Sequence, residues 1–241
     1  MLNDSKRVIV TLPVYKDTRF LRSAVESLEG ATLRIIPDFT LVIAEDGSDS
    51  TQLVNELKQK YPNIIHLQHD GRLGRGRALR EAWGTIEGDV YAYIDVDMAT
   101  DLVKFDAYKN LLESESDLVT GSRYIAGSET NRPRLRRFAS KTYNWFVRIL
   151  FSTGVHDHQC GFKSFTARLV KVLSLEAKSD SWFWDTEVIV LARKRGFRIR
   201  EIPIHWTERK GPKTPISRLA RDVWIHGTGL WKLFWRVYVA P

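Results

Sequence analysis

Two carboxylates two residues apart, Asp95 and Asp97, follow the apolar run Asp89-Val-Tyr-Ala-Tyr-Ile94. Alternate residues of a strand point to one face. Side by side, such carboxylates repel each other unless a cation lies between them. A hard divalent ion, Mg²⁺ or Mn²⁺, completed by phosphate oxygens meets that need. The pair therefore suits the departure of a diphosphate, although alone it reads equally well as a solvated strand end.

Other polar motifs stand at comparable positions. Glu45-Asp46-Gly47-Ser48 combines two acids with a tight turn and can accept hydrogen bonds from a base or from ribose hydroxyls; it is also a common turn sequence. Arg72-Leu-Gly-Arg-Gly-Arg-Ala78 sets three guanidinium groups among two glycines just before a helix, which lets backbone and side chains approach phosphate. It lacks the Gly-Lys-Ser/Thr ending of a P-loop and the spacing of a dinucleotide fingerprint. His156 and His158 flank Asp157 at alternating positions, with no further His or Cys ligand to complete a metal site. Cys160 reads as a packed small residue. Trp182, Phe183 and Trp184, ahead of Asp185-Thr-Glu187, fit a sugar pocket or an aromatic core equally well.

The elements that must position these groups alternate. Strands are expected over Arg7 to Pro13, Phe39 to Glu45, Asn63 to Gln68, Asp89 to Asp95 and Asp117 to Gly121. Helices are expected over Arg19 to Glu29, Ser50 to Tyr61 and Gly76 to Ile86. This alternation implies an α/β fold, a mostly parallel sheet flanked by helices, with ligands beyond the carboxyl ends of the strands. Pro13-Val-Tyr-Lys-Asp17, Glu45-Asp46 and Asp95-Val-Asp97 all fall there. The second half is more aromatic. It reads as a helix from Phe138 to Phe151, a turn at Ser152-Thr-Gly154, helices near Ala167 to Leu173 and Asp185 to Arg195, and an edge strand from Arg198 to Trp206.

The chain has 241 residues, enough for one sizeable core, and divides into a catalytic unit, residues 1–213, and a tail, residues 214–241. A single cysteine excludes an intrachain disulfide and a CxxC zinc or redox site, which fits a reducing, cytoplasmic setting. The start, Met1-Leu-Asn-Asp-Ser-Lys-Arg7, has no secretory cleavage pattern. Lys and Arg outnumber Asp and Glu by 37 to 29, a net +8 that favours phosphate-bearing partners. Arg148 and Lys232 interrupt the two most apolar regions, so no bilayer span is expected and any membrane contact is at the surface. In the tail, at ~100° per residue, Trp224, Trp231, Trp235 and Tyr238 share one helical stripe. Arg218, Arg221, Lys232 and Arg236 flank it. Such a face suits lipid headgroups. The alternative is a helix packed on the domain or on a second subunit of a homo-oligomer, broken at Gly227 and Gly229.

The ordered series resembles glycosyltransferase family 2, the inverting GT-A enzymes, and within it the dolichyl-phosphate (polyprenyl-phosphate) hexose synthases, over roughly residues 7–213. The most specific pieces are Asp95-Val-Asp-Met-Ala-Thr100, Gly121-Ser-Arg123 and Asp157-His-Gln-Cys-Gly-Phe-Lys163, the last closest to dolichyl-phosphate glucosyltransferases. The resemblance implies nucleotide contacts at Pro13, Tyr15, Asp17, Glu45, Asp46 and Arg75, with Lys16-Asp17 where relatives usually carry Asn-Glu. It implies metal and diphosphate binding at Asp95 and Asp97, and phosphate binding at Arg123. The acceptor phosphate would be gripped by Arg136, Arg137 and Ser140, under a covering segment that carries Arg209 and Lys213. Asp157 would orient the acceptor or the metal shell. The cofactor implied is Mg²⁺ or Mn²⁺. The substrates implied are UDP-glucose, or GDP-mannose second, and a polyprenyl phosphate at the cytoplasmic face of a membrane, for glycan assembly. Either a peripheral protein or a soluble domain of a longer membrane protein satisfies this reading. Two alternatives stand beside it: a family 2 enzyme with a hydroxyl acceptor, which needs a carboxylate base such as Asp157, and a basic nucleic-acid-binding protein, which the strand-end acids disfavour.

Overall fold

Seven strands form the central sheet in the order β3-β2-β1-β4-β7-β5-β8 in the computed structural model, which describes residues 6–32, 39–100, 111, 115–207 and 216–239. The first half follows the expected alternation: β1 (Val8–Val14), α1 (Leu21–Thr32), β2 (Phe39–Asp46), α2 (Thr51–Lys60), β3 (Ile64–His69), α3 (Arg75–Thr85) and β4 (Val90–Ile94). β1, β2 and β4 are apolar on both faces because helices cover the sheet on each side. Pro13 is tolerated in a central strand for a specific reason. β4 pairs with β1 only from Val8 to Thr11, whereas β2 follows β1 to Val14, so proline's missing N–H costs no ladder bond. The early stop of β4 leaves Asp95 and Asp97 clear of β1.

The second half departs from the sequence expectation in two places. β7 (Phe162–Thr166) is a fully internal strand, antiparallel to both β4 and β5 (Leu118–Ser122), where only a motif and a following helix were expected. The buried Lys163 and Ser164 interrupt its apolar pattern and hide it. The expected strand from Arg198 to Trp206 is divided at Ile204. β8 (Ile199–Pro203) lies on the sheet edge beside β5, and β9 (His205–Thr207) pairs with the short β6 (Glu129–Asn131) in a separate ribbon. Thr207 N–H donates to the Ala99 carbonyl at 2.9 Å, tying this ribbon to the loop after Asp97.

Further along the chain α4 (Arg134–Phe151), α5 (Ala167–Glu176) and α6 (Trp184–Lys194) precede α7 (Ile216–Phe234), which continues as a π-helical turn, Trp235–Val239. Gly227 and Gly229 do not break α7. At Gly229 a Cβ would lie 2.5 Å from the Phe183 ring, so the glycine permits close docking of the helix. Leu230 and Leu233 enter the core, Arg236 pairs with Glu187, and Tyr238 Oη donates to the Leu150 carbonyl at 3.0 Å. The tail thus packs on the domain with one face and leaves Trp224, Trp231 and Trp235 exposed on the other. No helix among the described residues is long and apolar enough to cross a membrane.

His158 fastens the loop before β7 to α4. Its Nδ1 lies 2.8 Å from Asn144 Oδ1 and its Nε2 2.9 Å from Thr153 Oγ1, and burial pushes its pKa down from 6.5 to about 3. The unfolded chain takes up a proton here that the fold does not, so the stabilisation is full above pH 6.5 and falls as pH drops toward 3. In urea titrations this group should lower unfolding free energy by about 1.4 kcal/mol per pH unit in that window. His158→Gln should lack that slope.

Candidate active site

The loops after β1, β2, β3 and β4 meet at one end of the sheet, and each is held by a side chain expected to touch ligand. Glu45, fully buried, accepts from Ser48 Oγ at 2.8 Å, Ser50 N at 3.0 Å and Ser50 Oγ at 2.7 Å, and faces His66 Nε2 at 2.9 Å. Burial works to raise its pKa, but these partners outweigh it and hold the carboxyl below its ordinary value. Asp46 accepts from the N–H of Gly74, at 2.9 Å, and of Leu73. The two acids therefore shape the loops rather than standing open. Gly47 has φ +68°, and a Cβ there would lie 3.1 Å from Arg72 N. The Arg72 guanidinium stacks 4.3 Å from the Tyr15 ring, joining the β1 and β3 loops near Pro13 and Asp17.

Asp95 and Asp97 occupy a tight turn in which Met98 N–H donates to the Asp95 carbonyl at 3.0 Å and Met98 takes φ +51°. Asp97 Oδ1 accepts from Ala99 N–H at 3.0 Å. Arg75 Nη1 donates to Asp95 Oδ1 at 2.6 Å, and the Asp95 side chain is 35% exposed. On its other side Asp95 rests against Gly161, where a Cβ would lie 1.8 Å from Oδ2. The donor set fits Mg²⁺ or Mn²⁺, which bind through one or two carboxylates plus substrate phosphates. Among the described residues there is no cluster of three His, Cys, Asp or Glu that could hold a metal ion. Beside this turn is a cavity of about 730 Å³ lined by Met98, Ala99, Glu129, Thr130, Asn131, His205, Trp206 and Thr207.

Asp157 is fully buried. Its Oδ2 accepts Arg123 N at 3.0 Å and Nε at 2.7 Å, and its Oδ1 accepts Arg123 Nη2 at 2.8 Å. Burial works to raise its pKa; the Arg123 charge and hydrogen bonds outweigh this and hold the carboxyl low. With both oxygens engaged, Asp157 is a counter-ion for Arg123. The carboxylate expected to orient the acceptor or the metal shell is thus taken up by Arg123. The Arg123 guanidinium lies 5.5 Å from the rings of both Tyr124 and Trp206. Arg136 and Arg137 sit in the first turn of α4, Arg137 exposed, and Ser140 is buried with no hydrogen-bond partner for its hydroxyl. Arg209 and Lys213 lie outside the described residues.

Sequence reading missed a buried charge cluster behind Asp95. Arg75 pairs through Nη2 with Asp185, which also takes Lys163 Nζ at 3.2 Å and the Tyr93 hydroxyl. Burial lowers the Lys163 pKa to about 8. The signal available was a lysine inside Cys160-Gly-Phe-Lys163 and an acid in the first turn of α6, which only the antiparallel course of β7 brings together. Cys160 is buried as expected, and burial pushes its thiol up to about 12.

The family model for glycosyl transferase family 2 matches residues 9–176. The chain belongs to glycosyl transferase family 2. Within this family it is similar to glycosyltransferase AglD of Haloferax volcanii, 34% identical over 239 residues, covering 97% of this chain and 38% of AglD. It is 30% identical to the dolichyl-phosphate beta-glucosyltransferase ALG5A of Trichomonas vaginalis, covering 96% of this chain and 73% of that protein. The fold is GT-A. It superposes with a TM-score of 0.72 at 15% identity on glucosyl-3-phosphoglycerate synthase from Mycobacterium tuberculosis, solved with Mn²⁺, UDP and glucosyl-3-phosphoglycerate, over 95% of this chain and 80% of that one. For this family 2 chain, Gly161→Ala should weaken metal-dependent nucleotide binding roughly 10–100-fold, the cost of overpacking by one methyl. Isothermal titration with Mn²⁺ and UDP checks it, and wild-type affinity would show that Asp95 need not rest on Gly161.

Proposed function

We propose that this protein transfers a hexose from a nucleotide diphosphate sugar, UDP-glucose first and GDP-mannose second, to a polyprenyl (dolichyl) phosphate with inversion at the anomeric carbon. The observation that carries the choice of acceptor is Asp157. A hydroxyl acceptor needs a carboxylate base, and the one suggested for it is fully buried in a bidentate pair with Arg123. A phosphate monoester, ionised at pH 7, needs none. Similarity to the beta-glucosyltransferase ALG5A across 96% of the chain supports the same reading. Burial and pairing of Arg75 and Arg123 count against a nucleic-acid surface.

In this mechanism Asp95 and Asp97 would hold Mg²⁺ or Mn²⁺, with the donor diphosphate supplying further ligands. The bound ion supplies Lewis-acid stabilisation of the leaving group. Asp46 and Gly47 fix the arginine-rich loop beside the nucleotide, with Pro13, Tyr15 and Asp17 on its other side. Arg123, held by Asp157, and Arg136, Arg137 and Ser140 face the acceptor phosphate, one oxygen of which attacks the anomeric carbon as the bond to the diphosphate breaks. Charge stabilisation, not proton transfer, lowers the barrier. Peripheral contact with a membrane, which this reading puts at the cytoplasmic face, draws support from the exposed Leu135, Phe138, Trp145 and Ile149 of α4 and Trp224 and Trp231 of α7, interspersed with the exposed cations Arg137, Lys141, Arg221 and Lys232.

The test presents polyprenyl phosphate in anionic vesicles with UDP-glucose or GDP-mannose and either metal, and reads lipid-phosphate-sugar by mass spectrometry. Product from one donor, lost in Asp97→Ala by a factor of about 10³ or more, is expected. Nucleotide binding without product from either donor would reject the phosphate acceptor. Trp231→Ser should reduce cosedimentation with the same vesicles, and unchanged sedimentation would remove the membrane face.

A further inference from the structure

Arg75 is held from four directions, and only one of them faces the proposed metal. Its side chain is 8% exposed. Nη1 donates to Asp95, Nη2 pairs with Asp185, the Tyr93 ring lies 5.6 Å from the guanidinium carbon, and the Trp182 ring covers it at 4.1 Å. Phe183 and Trp184, the next two residues, are core residues at 3% and 0% exposure, whereas Trp182 is 45% exposed. An indole left half in water gains little from burial, but over a guanidinium it gains a cation–π contact. Asp185 is anchored independently by Lys163 and by its place in the first turn of α6, where the helix dipole favours an acid.

We propose that Trp182 and Asp185 are positioning residues that clamp Arg75 so that it presents the Asp95 carboxylate, already stopped by Gly161 on its far side, in the one orientation that receives the metal–diphosphate. An arginine donating to a metal-binding carboxylate has two opposed effects. It competes for the oxygen it touches, and it fixes the direction of the other. Free to move, Arg75 would fold fully over Asp95 and hold both oxygens, as guanidinium groups do with carboxylates. Clamped by indole and acid, it takes Oδ1 alone and leaves Oδ2, seated at Gly161, without a guanidinium partner. The residues act on Asp95 through Arg75, and their effect is on metal-dependent affinity rather than on nucleotide contacts. The inference rests on the metal–diphosphate reading of Asp95 but not on the identity of the acceptor.

The experiment is isothermal titration of the full chain with UDP, with and without Mn²⁺, and with GDP in parallel, for wild type, Trp182→Ala, Trp182→Phe and Asp185→Asn, each with its melting temperature. Trp182→Ala should weaken Mn²⁺-dependent UDP binding roughly tenfold. It should leave Mn²⁺-free binding and the melting temperature near wild type, and Trp182→Phe should restore most of the loss. Asp185→Asn should act in the same direction and more strongly. Equal Kd values for Trp182→Ala and wild type would overturn the proposal. So would an equal loss with and without Mn²⁺, which would make Trp182 a direct nucleotide contact. A wild type that binds neither nucleotide in a Mn²⁺-dependent way would overturn the functional reading as well, whereas binding that the variants leave intact removes the clamp alone.

Discussion

Two acids at the end of β4 must have positive charge beside them, and much of the site's construction answers that requirement. Arg75 supplies it from the protein side, donating to Asp95 at 2.6 Å. Behind Arg75 the charges continue to alternate, with Asp185 against it and Lys163 against Asp185. Removing Asp185 would leave the buried Lys163 without its charged partner, which is far more costly than the pair's own net contribution. The arrangement is therefore better understood as fixing geometry than as adding stability. It leaves Asp95 partly exposed toward the loop that carries Asp97.

The same construction recurs at the other loops. Glu45 and Asp46 organise the β2 and β3 loops from within, and Asp157 does so for Arg123. Groups expected to contact substrate thus hold backbone N–H groups and guanidiniums within the protein. Preorganised donors of this kind need no rearrangement as charge develops on the leaving group. The β6–β9 ribbon completes the enclosure, with Trp206 beside Arg123 and Thr207 bonded to the Ala99 carbonyl.

The parallel half of the fold is legible in the sequence because its signals are local. Strands such as Val8–Val14 are uninterrupted apolar runs, and their boundaries lie within a residue or two of expectation. β7 is not legible, since Lys163 and Ser164 are buried for reasons that lie in distant partners. Asp95 and Asp97 are legible because the apolar run and the paired acids that follow it are adjacent in the sequence. Asp185 and Trp182 are not, because their roles depend on α6 packing beside the start of α3, which carries Arg75. The motif around Asp157 does not reveal the bidentate bond to Arg123, which forms only in the fold. The α7 glycines look like breaks in the sequence, although Gly229 permits an approach that any Cβ would block.

The most direct test of the metal–diphosphate site is a crystal structure of the protein grown with Mn²⁺ and UDP, the manganese located by its anomalous scattering. One strong peak should bridge the Asp95–Asp97 turn and the diphosphate, with Arg75 still bonded to Asp95 Oδ1. Manganese and diphosphate bound elsewhere, or bound at that turn with Arg75 released from Asp95, would contradict it.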